Sequence, residues 1–149
     1  MPLSGHPTDM KRTANAHWRG DLKSGQGDLS TASGVLTSTP YSFHTRFEDG
    51  KGTNPEELLA AAHAGCFAMS LAGELREAEP HLEVRANVVM DEVEGKGHVI
   101  VESQLRVRAR ATVDEETFHT AVAAADEGCP FSQLIKASAR VTIEAELEE

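Results

Sequence analysis

Polar and apolar residues alternate in short stretches on both sides of one long stretch that does not alternate at all. "RTANAHWRGDL" carries the polar and small-residue alternation of a partly exposed strand, "KSGQG" turns the chain, and "DLSTASGVLTS" predicts a second strand weakened by Gly34. "TPYSFHTRFEDGKG" predicts a third strand, starting after Pro40 and closing in a glycine-bounded turn. Along that strand Tyr41, Phe43, Thr45 and Phe47 share one face, and Ser42, His44, Arg46 and Glu48 share the other. The aromatic face is expected to be buried and the polar face solvated.

"NPEELLAAAHAGCFAMSL" breaks the alternation and predicts a helix with a marked start. Asn54 stands as N-cap, Pro55 at the first helical position, and Glu57 three residues after the cap, the spacing of a capping box. From Leu58 the residues are apolar or small around the whole circumference, until Glu74, Arg76 and Glu77 return the chain to water. Such a helix is expected to run through the centre of the protein. Ala61, Gly65, Ala68 and Ala72 form a small-residue stripe that another backbone can approach closely, either the later helix or the same helix of a second copy.

"HLEVRANVVMDEVEGKGHVIVESQLRVRARATV" predicts two long strands reversed by "VEGKGH". "DEETFHTAVAAADEGC" predicts a helix capped by Asp114, with Phe118, Val122 and Ala125 on one side and an end at Gly128. "CPFSQLIKA" predicts a further short helix, with Cys129 at the N-cap and Pro130 at the first helical position. "ARVTIEAELEE" predicts a last strand. The order β-β-β-α-β-β-α-α-β indicates an α+β fold with mainly antiparallel strands.

The 149 residues suit one domain, read as residues 11–149 after a flexible tail over residues 1–10. A net charge of −10 without any lysine and arginine block argues against nucleic acid and anionic membranes as partners. The start, "MPLSGHPTDMKR", lacks the apolar stretch of an export signal, so a cytoplasmic location is expected. The uncharged run Leu58 to Gly73 falls short of the roughly 18 to 20 apolar residues of a membrane span.

In a reducing compartment two cysteines are inert packing, metal ligands or thiols that cycle. There is no C-x-x-C pair. His63 and Cys66 share a helical face, but a lone histidine beside a thiol is more often hydrogen-bonded core than a ligand, and no metal is expected. Cys129 gains thiolate character from its place at a helix start, whereas Cys66, mid-helix and apolar in setting, needs a cation brought to it. On this ground either cysteine is a candidate. Glu56 lies about 15 Å along the helix axis from Cys66. It therefore either complements the helix dipole or serves the thiol of another subunit.

The segments "AHWRGD", "STASGVL", "PYSFHTRFEDGKGTNPEELLAAAHAGCFAMSL" and "GCPFSQLIKA" resemble the OsmC/Ohr family of thiol-dependent organic hydroperoxide reductases, in its OsmC branch. The resemblance runs from about Ala16 to Leu147 and rests chiefly on the pairing of the NPEEL helix with the later GCP-S segment. It implies an OsmC-like fold, with mainly antiparallel sheets wrapped around two central helices in an intertwined homodimer, and active sites at the subunit interface. It further implies that Cys66 is the peroxidatic cysteine and Cys129 the resolving one. Arg46 and Glu56 match the family's arginine and glutamate, with Arg19 as the alternative arginine.

The expected chemistry is attack of the Cys66 thiolate on an organic hydroperoxide, closure of a disulfide with Cys129, and reduction by a dithiol of lipoyl type. Phe43, Phe47, Phe67, Met69 and Phe131 are candidates to line an apolar substrate pocket, although core packing suits most of them. No flavin, nicotinamide or haem pattern is present, so no cofactor is expected. The alternatives are a redox-sensing or ligand-binding protein with little turnover, and a structural dimer whose cysteines fill the core.

Overall fold

A computed structural model of the chain describes residues 10–149; the tail expected over residues 1–10 lies, apart from Met10, outside the described residues. Two compact units divide the chain at Pro55 and Glu56.

The N-terminal unit holds an antiparallel sheet of β1 (Ala14–Arg19), β2 (Gln26–Thr31) and β3 (Thr39–Tyr41), in the order β1-β2-β3. The Asp21 carboxylate accepts from the backbone N–H and the hydroxyl of Ser24, both at 2.7 Å, and so closes the turn between β1 and β2. The predicted third strand is corrected here. Only its first residues are extended, and α1 (Phe43–Phe47) is a single helical turn.

The cause of that turn is local. Ser42 Oγ accepts from the Thr45 N–H at 3.3 Å, and Thr45 Oγ1 accepts from the Ser42 N–H at 2.8 Å, a reciprocal capping box. Phe43 and Phe47 still share a face, now by helical spacing, with ring centroids 4.8 Å apart. Arg46 therefore projects from a helix and not from the polar face of a strand. Downstream, Gly52 has φ +133°, and a Cβ there would meet the Pro40 carbonyl oxygen at 2.3 Å, so only glycine permits the chain to return against β3.

The second unit opens with α2 (Pro55–Glu74), which starts at the expected proline. The short 3₁₀ turn Arg76–Ala78 follows, and then β4 (His81–Val93) and β5 (Gly97–Arg110) form the expected antiparallel hairpin, with one irregularity between Val89 and Met90. The helices α3 (Glu115–Gly128) and α4 (Pro130–Lys136) come next, before β6 (Arg140–Glu148). The second sheet has the order β4-β5-β6, and β6 pairs with β5 in parallel. A parallel neighbour requires a crossover, and α3 with α4 supplies it.

The core sits between that sheet and the helices. Ser103, Leu105, Val107 and Ala109 of β5 point inward, flanked by Leu82, Val84 and Ala86 of β4 and by Val141, Ile143, Ala145 and Leu147 of β6. They meet Phe67 and Leu71 of α2 and Phe118, Ala121, Val122 and Ala125 of α3. The opposite face of the sheet is solvated and carries surface pairs such as Arg108 with Glu148 at 2.7 Å. Within one chain α2 is buried on one side only: His63, Phe67 and Leu71 are enclosed, whereas Ala61, Gly65 and Met69 are exposed.

The expected Asp114 cap of α3 is present, its carboxylate accepting from the Thr117 N–H at 2.7 Å. In urea unfolding, Asp114→Ala is expected to lower the midpoint, by less than a core truncation does. Phe118→Ala, which empties a fully buried site, is expected to cost about 3–5 kcal/mol.

Candidate active site

Cys66 stands in mid-α2 and is partly exposed, while Cys129 is fully buried at the junction of α3 and α4. Both thiols are free, and their sulfurs lie 3.2 Å apart, with Cys129 donating to Cys66. A disulfide needs about 2.05 Å, so only a small movement separates this arrangement from a covalent bond. The expected cap role of Cys129 holds: its sulfur accepts from the Ser132 N–H at 3.4 Å.

Two hydrogen bonds bracket the sulfur pair. One turn beyond Cys66, Ser70 Oγ donates to the carbonyl of Ala125, one turn before Cys129, at 2.8 Å. One turn before Cys66, the His63 ring reaches past Cys129 into α4, its Nε2 lying 2.8 Å from Ser132 Oγ. The other ring nitrogen, Nδ1, lies 2.7 Å from Ser103 Oγ on β5. The corner between α3 and α4 is closed separately by Gln133 Nε2, which donates to the carbonyls of Asp126 and Glu127 at 3.2 and 3.3 Å, and by the ion pair of Lys136 with Asp126.

His63, Ser103 and Ser132 are all fully buried. Burial pulls the His63 ring below its usual value of 6.5, outweighing the nearby Asp126 carboxylate, which raises it, while Lys136 lowers it further. A neutral imidazole has one N–H and one acceptor nitrogen, so one serine accepts from the ring and the other donates to it. His63 is thus hydrogen-bonded core, and among the described residues no cluster of three or more His, Cys, Asp or Glu is placed to hold a metal ion.

Burial pushes the Cys66 thiol up, and the hydrogen bond from Cys129 adds to the rise, while the Phe131 N–H opposes it. Ionising Cys66 at neutral pH therefore calls for a further positive influence.

Glu56 lies in the first turn of the same helix as Cys66, about 15 Å away along its axis. Arg46 belongs to the N-terminal unit, its guanidinium 5.4 Å from the Phe47 ring. With Trp18, Leu22, Tyr41, Ser42, Phe43 and Phe47 it lines a mainly apolar cavity of about 300 Å³. Arg19 ends β1 in the same unit. Of the other pocket candidates, Phe67 is core and Phe131 packs against the core, while Met69 is 79% exposed. Sequence reasoning missed Ser103 and Ser132. The available signal for Ser103 was a polar residue in register with Leu105, Val107 and Ala109 on the buried face of a strand.

A buried and a partly exposed cysteine brought almost into bonding distance on an α+β frame make this a paired-thiol protein. The chain belongs to the OsmC-like family: the family model described as OsmC-like protein matches residues 48–144. It is 43% identical over 141 residues to the peroxiredoxin OsmC of Escherichia coli (strain K12), covering 92% of this chain and 96% of that protein. It is 28% identical over 122 residues to the organic hydroperoxide resistance protein OhrB of Bacillus subtilis (strain 168), covering 79% and 88%.

The crystal structure of Bacillus subtilis OhrB superposes with a TM-score of 0.67 at 26% identity, covering 90% of this chain and 98% of that one. The organic hydroperoxide resistance protein of Elizabethkingia anophelis superposes with a TM-score of 0.75 at 20% identity, covering 95% and 99%, a likeness of fold. Among the described residues no helix is long and apolar enough to cross a membrane.

The histidine yields a sign-specific pH prediction. A ring whose folded value lies below its unfolded one keeps its full contribution to stability above about pH 6.5 and loses it as the pH falls from there through the folded value. Urea unfolding between about pH 7.5 and pH 5 is expected to show a loss of stability in the native sequence that is smaller or absent in His63→Gln.

Proposed function

We propose that the chain is a thiol-dependent peroxidase that reduces organic hydroperoxides to alcohols, with Cys66 peroxidatic and Cys129 resolving. The observation that carries this reading is the 3.2 Å approach of two sulfurs that are 63 residues apart in sequence, one of them reachable from solvent. The names of the relatives, peroxiredoxin OsmC and organic hydroperoxide resistance protein, point the same way.

In the first step the Cys66 thiolate attacks the outer oxygen of the hydroperoxide. The O–O bond breaks, and with one proton the products are the alcohol and a sulfenic acid. Cys129 then attacks the sulfenic sulfur. Its thiol proton leaves with the hydroxyl as water, and the S–S bond forms. A dithiol, of lipoyl type by family resemblance, returns the pair to two thiols and is itself oxidised to a cyclic disulfide. Cys129 needs little travel for its step, which limits the lifetime of the sulfenic acid.

Arg46 is assigned the positive influence that ionisation of Cys66 requires, with Arg19 as the alternative. Glu56 of the partner subunit orients the guanidinium by a bidentate bond. The aromatic cavity beside Arg46 suits an alkyl hydroperoxide better than hydrogen peroxide, because its lining is mainly apolar. Residues 11–149 act as one OsmC-like domain, and a cytoplasmic setting keeps both thiols reduced between turnovers.

A homodimer accounts for the exposed side of α2. Among the described residues, a Cβ added at Gly65 or at Gly73 meets nothing within 4 Å, so none of them demands glycine there. Close approach of a second copy of α2 explains both the glycine and the 79% exposure of Met69.

Steady-state consumption of cumene hydroperoxide, with a dithiol and a monothiol as competing reductants, tests the enzymatic reading. Turnover is expected with the dithiol, loss of it in Cys66→Ser, and accumulation of over-oxidised Cys66 in Cys129→Ser. Equal behaviour of the two variants overturns the assignment of roles, and slow oxidation without turnover favours a redox sensor. In the same assay, whichever of Arg46→Ala and Arg19→Ala lowers the rate on the order of a hundredfold marks the activating arginine.

Gly65→Leu tests the dimer. Sedimentation equilibrium is expected to show weakened association, with helix content kept, since leucine is the better helix former by about 0.8 kcal/mol. Unchanged association would remove α2 from the interface.

A further inference from the structure

The mechanism above uses the two sulfurs and leaves unexplained why a histidine and two serines are buried beside them. His63 is 0% exposed, on the same side of α2 as the core residues Phe67 and Leu71. An apolar side chain would fill that place without desolvating an imidazole. The ring instead makes two short contacts, at 2.7 Å to Ser103 on β5 and at 2.8 Å to Ser132 on α4, which lie 40 and 69 residues away along the chain. Ser132 is in turn the residue whose N–H is given to Cys129 Sγ.

We propose that His63 is a positioning residue for the resolving step: by joining β5 to the first turn of α4 it fixes Ser132, and through Ser132 the sulfur of Cys129, at reacting distance from Cys66. The inference rests on the reading of Cys129 as the resolving thiol.

The geometry distinguishes this role from simple packing. α4 has only seven residues, too short to hold its own position by helix formation. Its far end is held to α3 through Gln133 and Lys136. At its near end Cys129 is tied to α3 by its own N–H, which donates to the Asp126 carbonyl at 3.3 Å, and Ser132, one turn on, is tied to His63. With that bond cut, Ser132 is free to shift, and the N–H that sets the direction of the Cys129 sulfur shifts with it. An ångström of displacement at a reacting atom is enough to slow a step on the order of a hundredfold. Cys66 takes its position from the α2 backbone, and from the first turn of α4 it receives the Phe131 N–H. Burial favours the neutral form of the ring, which suits a bridge between two hydroxyls, one donating and one accepting.

A reaction that needs no peroxide tests the idea. The reduced protein is mixed with dipyridyl disulfide, a neutral aromatic disulfide whose thione product absorbs in the near ultraviolet. The partly exposed Cys66 attacks first, forming a mixed disulfide and releasing one thione. Cys129 then attacks the Cys66 sulfur of that mixed disulfide, closing the intramolecular bond and releasing the second thione. The first release reports the reactivity of Cys66 and the second reports closure.

For His63→Ala and for Ser132→Ala, the second release is expected to slow roughly tenfold to a hundredfold, with the first changed less than about threefold. The double variant is expected to be no slower than the worse single one, because the two residues act as one link. His63→Gln keeps one acceptor and one donor group and is expected to restore closure in part.

Circular dichroism and a melting curve establish that each variant is folded, and Ser132→Ala, the smaller change, carries the test if His63→Ala does not fold. Unchanged closure in Ser132→Ala, an equal fall in both releases, or additive effects in the double variant would overturn the proposal. Absence of peroxide turnover with the two-step release intact would instead count against the enzymatic reading alone.

Discussion

A thiol inside a helix is by default a weak nucleophile, because burial disfavours its anion. Cys66 is in that position, and the influences of its own surroundings push its proton affinity up. What the fold supplies first is therefore a second sulfur held against it. The packing of α2, α3 and α4 brings the Cys129 sulfur to 3.2 Å, and Cys129 itself ends one helix and caps the next. Three elements have to meet for that contact to exist, so the chemistry depends on tertiary packing more than on either cysteine's local setting.

The packing there is not purely apolar. Ser70 with Ala125 on one side, and His63 with Ser132 on the other, enclose the sulfur pair one helical turn away in each direction. An apolar contact fixes distance but tolerates sliding, whereas a hydrogen bond also fixes direction, and direction matters for two sulfurs that must align. The arrangement carries a risk. Removing one partner leaves a buried polar group unsatisfied at a cost of about 1–3 kcal/mol, a sizeable fraction of a domain's stability. A chain that keeps histidine and two serines in its core accepts that exposure in return for a defined geometry.

Much of this frame was legible in the sequence because helix starts are written locally. The Pro55 start of α2, the Asp114 cap of α3 and the Cys129-Pro130 start of α4 all fall where the rules for helix starts put them. The long hairpin was equally plain from its alternation and glycine turn. The third strand was misread because Phe43, Thr45 and Phe47 fit a period of two, and Phe43 and Phe47 fit a helical period as well. Five residues are too few to separate the periods, and the reciprocal bonds of Ser42 and Thr45 decided the matter. The parallel placement of β6 was not foreseen, although two helices between strands are what a crossover requires.

The sulfur contact was out of reach of local reading, since it joins residues 63 apart and follows from how three helices pack. His63 shows the same limit from the other direction. Its neighbourhood on α2 allowed a ligand or a core residue, and only the arrival of Ser103 from β5 and Ser132 from α4 decided for the core. Ser103 sat where an apolar residue was due, on the inner face of a strand, and Ser132 lies with Ile135 on the buried side of a short, half-exposed helix. A polar residue in an apolar register has to find a partner, and a histidine on a buried helix has to find two. Taken together those requirements point to one another across the fold, and they meet beside the two cysteines.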